Sequence, residues 1–379
     1  MEQVLVRDKM YEFLSQYIPP ESAMDWTSMI AGEVEDNKES NLRQAKKSLH
    51  ERFKEFEYRD IGTFIFEAQI ELEKLNSAYQ DVFDKKEDDF LPFLKDKHEL
   101  ERDLVHDGGI KGYRLHHLEF YERMCDGLRP GLHYFGAHAN VGKTSMLCTM
   151  NWDVLISNKD VSTMFITIDD TRDKITNNLL ACTSNRSQNI VDRKRNSVDE
   201  IAVENAYDKL IGWGANGRMT IVDSSSFDND PEKLANIIYR ARKKYKNLVV
   251  FVDGIANLTM KGTGEERQSN IAMMFKHLWK PTMSGLPPIP IILSHELKRI
   301  DGKRPKKGDL KGSSKYEYTA DVVVCLSAED EEAFNEKTNM VVYADVDKNK
   351  MGSGKGVVHT TFEPDKSKFS EKKPFGGSL

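Results

Sequence analysis

Two patterns of hydrophobic and polar positions divide the chain. Across 39–58 (ESNLRQAKKSLHERFKEFEY) and 63–84 (TFIFEAQIELEKLNSAYQDVFD) apolar residues recur every three to four positions, with Leu42, Ala45, Leu49, Phe53 and Phe56 on one stripe. That period belongs to amphipathic helices. Residues 90–106 (FLPFLKDKHELERDLVH) add a linking helix, and Asp107-Gly108-Gly109 reads as a break, because adjacent glycines punctuate helical sequence. An all-α unit is therefore expected over 1–106. It holds no cluster of cysteine or histidine and shows no chemistry of its own.

After residue 130 the period shortens. Apolar runs at 132–136, 163–168, 219–222, 248–252, 289–293, 321–326, 340–346 and 357–362 alternate, over the earlier part, with helical stretches at 143–157, 171–183, 198–211, 231–245 and 266–280. Continuous apolar strands alternating with helices predict a mainly parallel sheet covered on both faces, an α/β domain over 107–362. The late runs follow one another without long helices, which predicts an antiparallel edge. Residues 363–379 (EPDKSKFSEKKPFGGSL) lack periodicity and end in proline and glycine, the pattern of a disordered tail.

Composition narrows the class. Of 379 residues 39% are hydrophobic, enough for a core, and 31% are charged. No run approaches the ~18 apolar residues of a membrane span, and the N-terminal MEQVLVRDKMYEFLSQYIPP has charges where an export signal needs an apolar stretch. The four cysteines, Cys125, Cys148, Cys182 and Cys325, never stand at C-x-x-C spacing. A zinc ribbon or disulfide framework is thereby disfavoured, and a reducing, cytoplasmic setting is expected. The net charge of −6 conceals a net of −11 over 1–126 and +5 over 127–379. Only the second part has the sign that attracts a polyanion.

The sharpest motif is Gly136-Ala137-His138-Ala139-Asn140-Val141-Gly142-Lys143-Thr144-Ser145, directly after the strand LHYF and opening a helix. The P-loop pattern is G-x-x-x-x-G-K-[ST], here with Ala137 at its first glycine position. In that context backbone N–H groups of the loop and helix start surround phosphate oxygens, Lys143 reaches the β- and γ-phosphates, and the Thr144 hydroxyl holds Mg²⁺. The expected ligand is ATP or another nucleoside triphosphate. The apolar run 248–252 ends at Asp253, the expected second metal-holding group. The run 163–168 ends at Asp169-Asp170, where Asp169 is a candidate general base for the attacking water and a turn-forming role is the competing reading.

A second chemistry lies between Lys298 and Lys315. Lys298, Arg299, Lys303, Arg304, Lys306, Lys307, Lys311 and Lys315 stand against Asp301 and Asp309, a net of +6 in 18 residues. With Gly312, Ser313 and Ser314 offering backbone donors, such a loop suits a phosphate backbone read without regard to sequence. Lys261 and Arg267, after Asp253, form a second candidate contact. Only Tyr316 and Tyr318 are close by, so contacts to phosphate are expected over base stacking.

In their order along 108–369 these motifs resemble the DnaB-type, RecA-fold replicative helicases, including the helicase halves of bacteriophage primase-helicases. Gly112-Tyr113 with Asp126-Gly127-Leu128-Arg129-Pro130-Gly131 is similar to the family's entry segment. Asp169 stands at its catalytic glutamate, Asp253 at its Walker B aspartate, and His295 in Ile291-Ile292-Leu293-Ser294-His295 at its γ-phosphate sensor, in the phage-type form. Asp309-Leu310-Lys311-Gly312-Ser313-Ser314 resembles the DNA-contacting loop, and Asp347-Lys348-Asn349-Lys350 the K-x-R finger motif. The resemblance implies a RecA-like P-loop core behind an all-α N-terminal domain, assembled as a homo-oligomeric, hexameric ring. Such a ring would move on single-stranded DNA and unwind duplex, with Lys348 and Lys350 reaching a neighbour's nucleotide and residues 1–106 meeting a loader or primase. Two departures stand out: aspartate for glutamate at 169, and lysine, without a bidentate fork, for arginine at 350. The alternative is a RecA-like DNA-binding ATPase that serves as clamp, loader or recombination mediator without unwinding.

Overall fold

The computed structural model describes residues 111–193, 196–259, 264–280, 286–298, 304–311, 314–329 and 339–371. The helical unit expected over 1–106, together with Lys261, Arg299, Asp301, Lys303, Gly312 and Ser313, lies outside them. Each of the eight apolar runs becomes a strand, with ends displaced by at most three residues: β1 (Gly131–Ala137), β2 (Ser162–Thr167), β3 (Met219–Asp223), β4 (Leu248–Asp253), β5 (Pro290–Glu296), β6 (Val322–Ala328), β7 (Met340–Asn349) and β8 (Gly356–Glu363). A ninth, β9 (Lys368–Glu371), completes one sheet of order β3-β2-β4-β5-β1-β6-β7-β8-β9.

From β3 to β6 all neighbours are parallel, and from β6 to β9 all are antiparallel. The change occurs where the chain stops placing long helices between strands, since parallel neighbours need a crossover and antiparallel ones need only a turn. Strands β1 and β4 are buried along their whole length, as continuous apolar runs require when both sheet faces are covered.

The helices are α1 (Glu119–Cys125), α2 (Lys143–Ser157), α3 (Arg172–Ser184), α4 (Gln188–Asp192), α5 (Ser197–Ala215), α6 (Pro231–Lys244), α7 (Gly264–Leu278) and α8 (Ser314–Thr319). Helix α6 shows why such segments start and stop. The Asp230 side chain accepts from the backbone N–H groups of Glu232 and Lys233, Pro231 opens the first turn, and Arg242, Lys243 and Lys244 close the last, complementing the helix dipole at both ends. Asn196 caps α5 and Thr171 caps α3 in the same way.

Two segments singled out in sequence fold onto each other around α1. Gly112 N donates to Asp126 O at 2.9 Å and Tyr113 pairs with Leu128. The backbones touch so closely that a Cβ at Gly112 would lie 2.5 Å from the carbonyl carbon of Gly127.

The tail expected to lack order from residue 363 differs from that expectation as far as residue 371; residues 372–379 lie outside the described residues. Strand β9 pairs with β8, and Phe369 stacks on Phe362 with ring centroids 4.3 Å apart. Phe369 N donates to Thr149 Oγ1 at 3.0 Å, Gln188 Nε2 donates to Ser367 Oγ at 2.7 Å, and Arg123 pairs with Glu371. A single aromatic in a run of charges leaves no periodic signal. Its full burial is nonetheless worth about 1.5–3 kcal/mol, and these flanking polar groups find partners. The four cysteines are buried free thiols.

Candidate active site

The parallel strands all point the same way, so their carboxyl ends form one rim, where open α/β sheets collect ligands. Register decides which residues meet there. Gly136 lies opposite His295 and Phe135 opposite Ser294, while Thr167 lies opposite Asp253. The P-loop, Asp253, Asp169 and His295, separated by up to 159 positions, thus converge.

The loop from Ala137 to Ser145 turns from β1 into α2. Asn140 and Gly142 hold φ values of 67° and 93°, left-handed conformations that asparagine tolerates and glycine favours. At Gly142 space is equally restrictive, since a Cβ would sit 2.8 Å from the Phe362 ring. The β8–β9 hairpin therefore buttresses the loop from below. Val141 is buried, and Gly136 admits the Leu297 side chain, which a Cβ would meet at 2.8 Å.

Lys143 Nζ donates to the carbonyls of Ala137 and His138 at 3.3 and 3.0 Å. Burial holds its ammonium below the usual lysine range, with Glu296, Asp253 and Asp169 opposing. Ala139 and Ser145 complete the turn on either side of it. Thr144 Oγ1 donates to Asp253 Oδ2 at 2.5 Å, and Ser294 Oγ donates to Asp253 Oδ1 while accepting from Gly254 N at 2.9 Å. Asp253 is 3% exposed. Burial pushes its carboxyl above the usual range, opposed by the hydrogen bonds from Ser294 and Thr144. The converged hydroxyl and carboxylate are hard oxygen donors of the kind Mg²⁺ selects.

The Asp169-Asp170 pair divides its labour. Asp170 forms the turn: its N–H donates to Thr167 Oγ1 at 3.1 Å, and its carboxylate pairs with Lys174 at 2.6 Å. Asp169 lies instead beside Gly254 and accepts a hydrogen bond from Asn257 Nδ2. Burial, then the charges of Asp253, Asp170 and Glu296, push its carboxyl up to about 6, against the pull of Lys143.

His295 is 2% exposed, and burial lowers its imidazole to about 4. Its Nδ1 accepts from Glu296 N at 3.0 Å, which assigns the proton of the neutral ring to Nε2. Tyr316, expected beside the cationic loop, is buried against His295 with centroids 4.4 Å apart and edge-to-face.

The cationic segment is less free than its sequence suggests. Lys306 pairs with Asp345 at 2.6 Å, Lys307 with Glu317 at 3.2 Å and Lys311 with Glu296 at 2.9 Å. The Arg304 guanidinium lies 4.1 Å from the Tyr343 ring centroid. Ser314 and Lys315 begin α8, and exposed Tyr318 has the ammonium groups of Lys276 and Lys315 over its ring at 4.8 and 5.6 Å. Arg267 sits in the first turn of α7.

Lys348 and Lys350 do not join this rim. Asn349 pairs with Val322 at the start of β6, Lys350 N donates to Asp321 O at 2.9 Å, and Asp321 N donates to Leu132 O at the start of β1. Lys350 Nζ lies 3.7 Å from Asp321 Oδ1, and Lys348 Nζ donates to Glu317 O. At about 3.3 Å per residue, the length of β1 puts Lys350 roughly 20 Å from the P-loop.

Sequence reasoning assigns no role to Ser294, Glu296, Asn257 or Phe362. Ser294 and Glu296 flank His295 on β5 and are within reach of a strand-end argument. Asn257 and Phe362 carry no local signal.

Comparison with known proteins extends these observations. The family model described as "DnaB-like helicase C terminal domain" matches residues 115–371. Among solved structures the chain is similar to an isolated helicase-type "ATPase Domain", with 20% identity, a TM-score of 0.63, and coverage of 76% of this chain and 100% of that one. It is similar also to the chain of "The Structure Of A DnaB-Like Replicative Helicase And Its Interactions With Primase", with 16% identity, a TM-score of 0.62, and coverage of 93% of this chain and 79% of that one. At such identities the likeness speaks for the fold. No curated protein matches.

Proposed function

Because this chain belongs to the DnaB-like helicases, ATP-dependent enzymes of DNA replication, we propose that it works as a homo-oligomeric, hexameric ring that translocates on single-stranded DNA and unwinds duplex. One observation carries the ring. Lys143, Thr144, Asp169, Asp253 and His295 share one rim, whereas Lys350 lies at the opposite end of the strands. A finger so placed serves only a neighbour's nucleotide, as in a head-to-tail assembly closed by rotation.

In this reading Lys143 and the loop N–H groups hold the phosphates. Thr144 and Asp253 would hold Mg²⁺, which supplies charge to the phosphate oxygens when bound. Asp169 takes the proton of the attacking water. His295, kept neutral by burial, offers Nε2–H to the γ-phosphate. Lys348 and Lys350 come from the adjacent subunit. Arg304, Lys306, Lys307, Lys311 and Lys315, with Gly312, Ser313 and Ser314, form the DNA track, joined by Lys261 and Arg267. We assign residues 1–106 to contact with a loader or primase, 107–371 to the motor, and the site of action to the cytoplasm. Among the described residues no helix is long and apolar enough to cross a membrane.

The test is strand displacement on forked DNA with ATP and Mg²⁺, run beside single-strand-stimulated hydrolysis and a mass measurement of the assembly. Displacement by a hexamer, lost in Lys143→Ala, is the expected result. Stimulated hydrolysis without displacement would favour the clamp or loader reading instead.

A further inference from the structure

The reading of Asp169 as general base leaves open what aims a carboxylate that stands at the end of a strand with one short side chain. Asp169 touches two residues of the turn after β4. Asn257 Nδ2 donates to its Oδ1. On the other side lies Gly254, with φ of 85°, where a Cβ would come within 2.6 Å of Asp169 Oδ2. The turn is itself held at both ends. Asn257 N donates to Gly254 O at 3.0 Å, closing a 3₁₀ turn over Ile255–Asn257 that brings the amide side chain back toward β2. Gly254 N donates to Ser294 Oγ, the same hydroxyl that donates to Asp253. Ile255 is fully buried and anchors the turn. The holder of Asp169 is thus tied, through the consecutive residues 254–257, to the carboxylate that meets Thr144.

We propose that Asn257 is a positioning residue for hydrolysis: its amide occupies one oxygen of Asp169 and so orients the other, which the absent side chain of Gly254 leaves uncovered, to accept the proton of the attacking water. This rests on the base reading of Asp169. In the step itself the water oxygen bonds to the γ-phosphorus as the bond from that phosphorus to the β–γ bridging oxygen breaks. The water proton goes to Asp169, and the nucleoside diphosphate leaves with the bridging oxygen. Asn257 exchanges no proton. It is exposed and contributes direction, for which a misplaced catalytic group is costly.

The test uses the full chain and three variants, Asn257→Ala, Asn257→Asp and Asp169→Asn, with kcat and KM for ATP hydrolysis on single-stranded DNA and equilibrium binding of a fluorescent ATP analogue. Asn257→Ala is expected to lower kcat about tenfold, a fraction of the 10²–10⁴ a general base supplies, with analogue affinity within about twofold. Asn257→Asp keeps the shape, removes the donor and adds a like charge, so it should lose at least as much. A kcat unchanged in Asn257→Ala, or restored in Asn257→Asp, overturns the positioning role while loss in Asp169→Asn leaves the base reading standing. Full turnover in Asp169→Asn overturns both. A loss confined to analogue affinity also overturns the proposal, because it would place Asn257 in binding alone.

Discussion

The nucleotide rim and the cationic segment between Lys298 and Lys315 differ in how their charges are held. At the rim, Asp253 and His295 are nearly inaccessible, each polar atom of the Thr144–Asp253–Ser294 group has a named partner, and β4, on which Asp253 stands, is buried throughout. In the segment, the side chains of Lys306, Lys307 and Lys311 are 55%, 39% and 61% exposed, and each is matched by a carboxylate of the same chain. Buried charges in a low dielectric make geometry decisive. Exposed pairs are worth roughly 0–1 kcal/mol and exchange readily for other partners. The first region is built to hold one arrangement, and the second to give up its own acids when a polyanion arrives.

The largest effects should come from the rim. Lys143→Ala is expected to reduce ATP hydrolysis at least a hundredfold, because the loop loses the cation that faces the phosphates; turnover within a few-fold of the parent would put the nucleotide elsewhere. Asp253→Ala should lose hydrolysis to a similar degree, with binding of nucleotide measured separately by equilibrium titration. Were exposed charges as decisive as buried ones, single lysine substitutions in the segment would match these losses.

The finger falls between the two regions. Lys350→Ala should spare nucleotide binding and cut the stimulated turnover of the assembled oligomer, whereas Lys350→Arg should maintain or raise it through the guanidinium fork. Mixed assemblies of Lys350→Ala with Lys143→Ala subunits should regain part of the activity, since some sites then combine an intact loop with an intact finger. If confirmed mixed rings stay inactive and Lys350→Ala alone turns over normally, the lysine is a surface residue of a turn.

Smaller effects should mark the segment. Lys311→Ala and Lys307→Ala should each flatten the slope of log affinity for single-stranded DNA against log salt by about 0.7, with DNA-independent hydrolysis retained. Lys306 should behave differently. Its partner Asp345 has a side chain only 7% exposed, so Lys306→Ala leaves a nearly buried carboxylate without this cation and should lower the melting temperature as well. An unchanged slope in the first two variants would remove the segment from the DNA path. The smallest effect concerns His295. Its imidazole gains a proton only below about 4, since burial disfavours the charged form, and stays neutral as pH rises from there. The ratio of His295→Gln to parent turnover should therefore be flat between about pH 5 and 8, the range in which an ordinary imidazole changes charge; a ratio that shifts within it would show a titrating ring.

Strand and helix alternation, the antiparallel edge, the P-loop and the strand-ending Asp253 could all be read from residues close together in the chain, because each depends on local period or on a turn beside an apolar run. The resemblance to the DnaB-type helicases extended that reading to His295 and Lys350. Which of Asp169 and Asp170 enters the site was not legible, since Thr167, Lys174 and Asn257 sort them through contacts up to 88 positions away. Residues 368–371 read as tail because one buried phenylalanine, Phe369, makes no period, yet the packing of Phe362 and Phe369 under Gly142 shapes the loop. The +6 of the cationic segment was countable, but the carboxylates that offset it come from β5, α8 and β7. Local periodicity sets what each segment becomes; strand register and side-chain pairing across the sheet set which charges remain available and on which rim they stand.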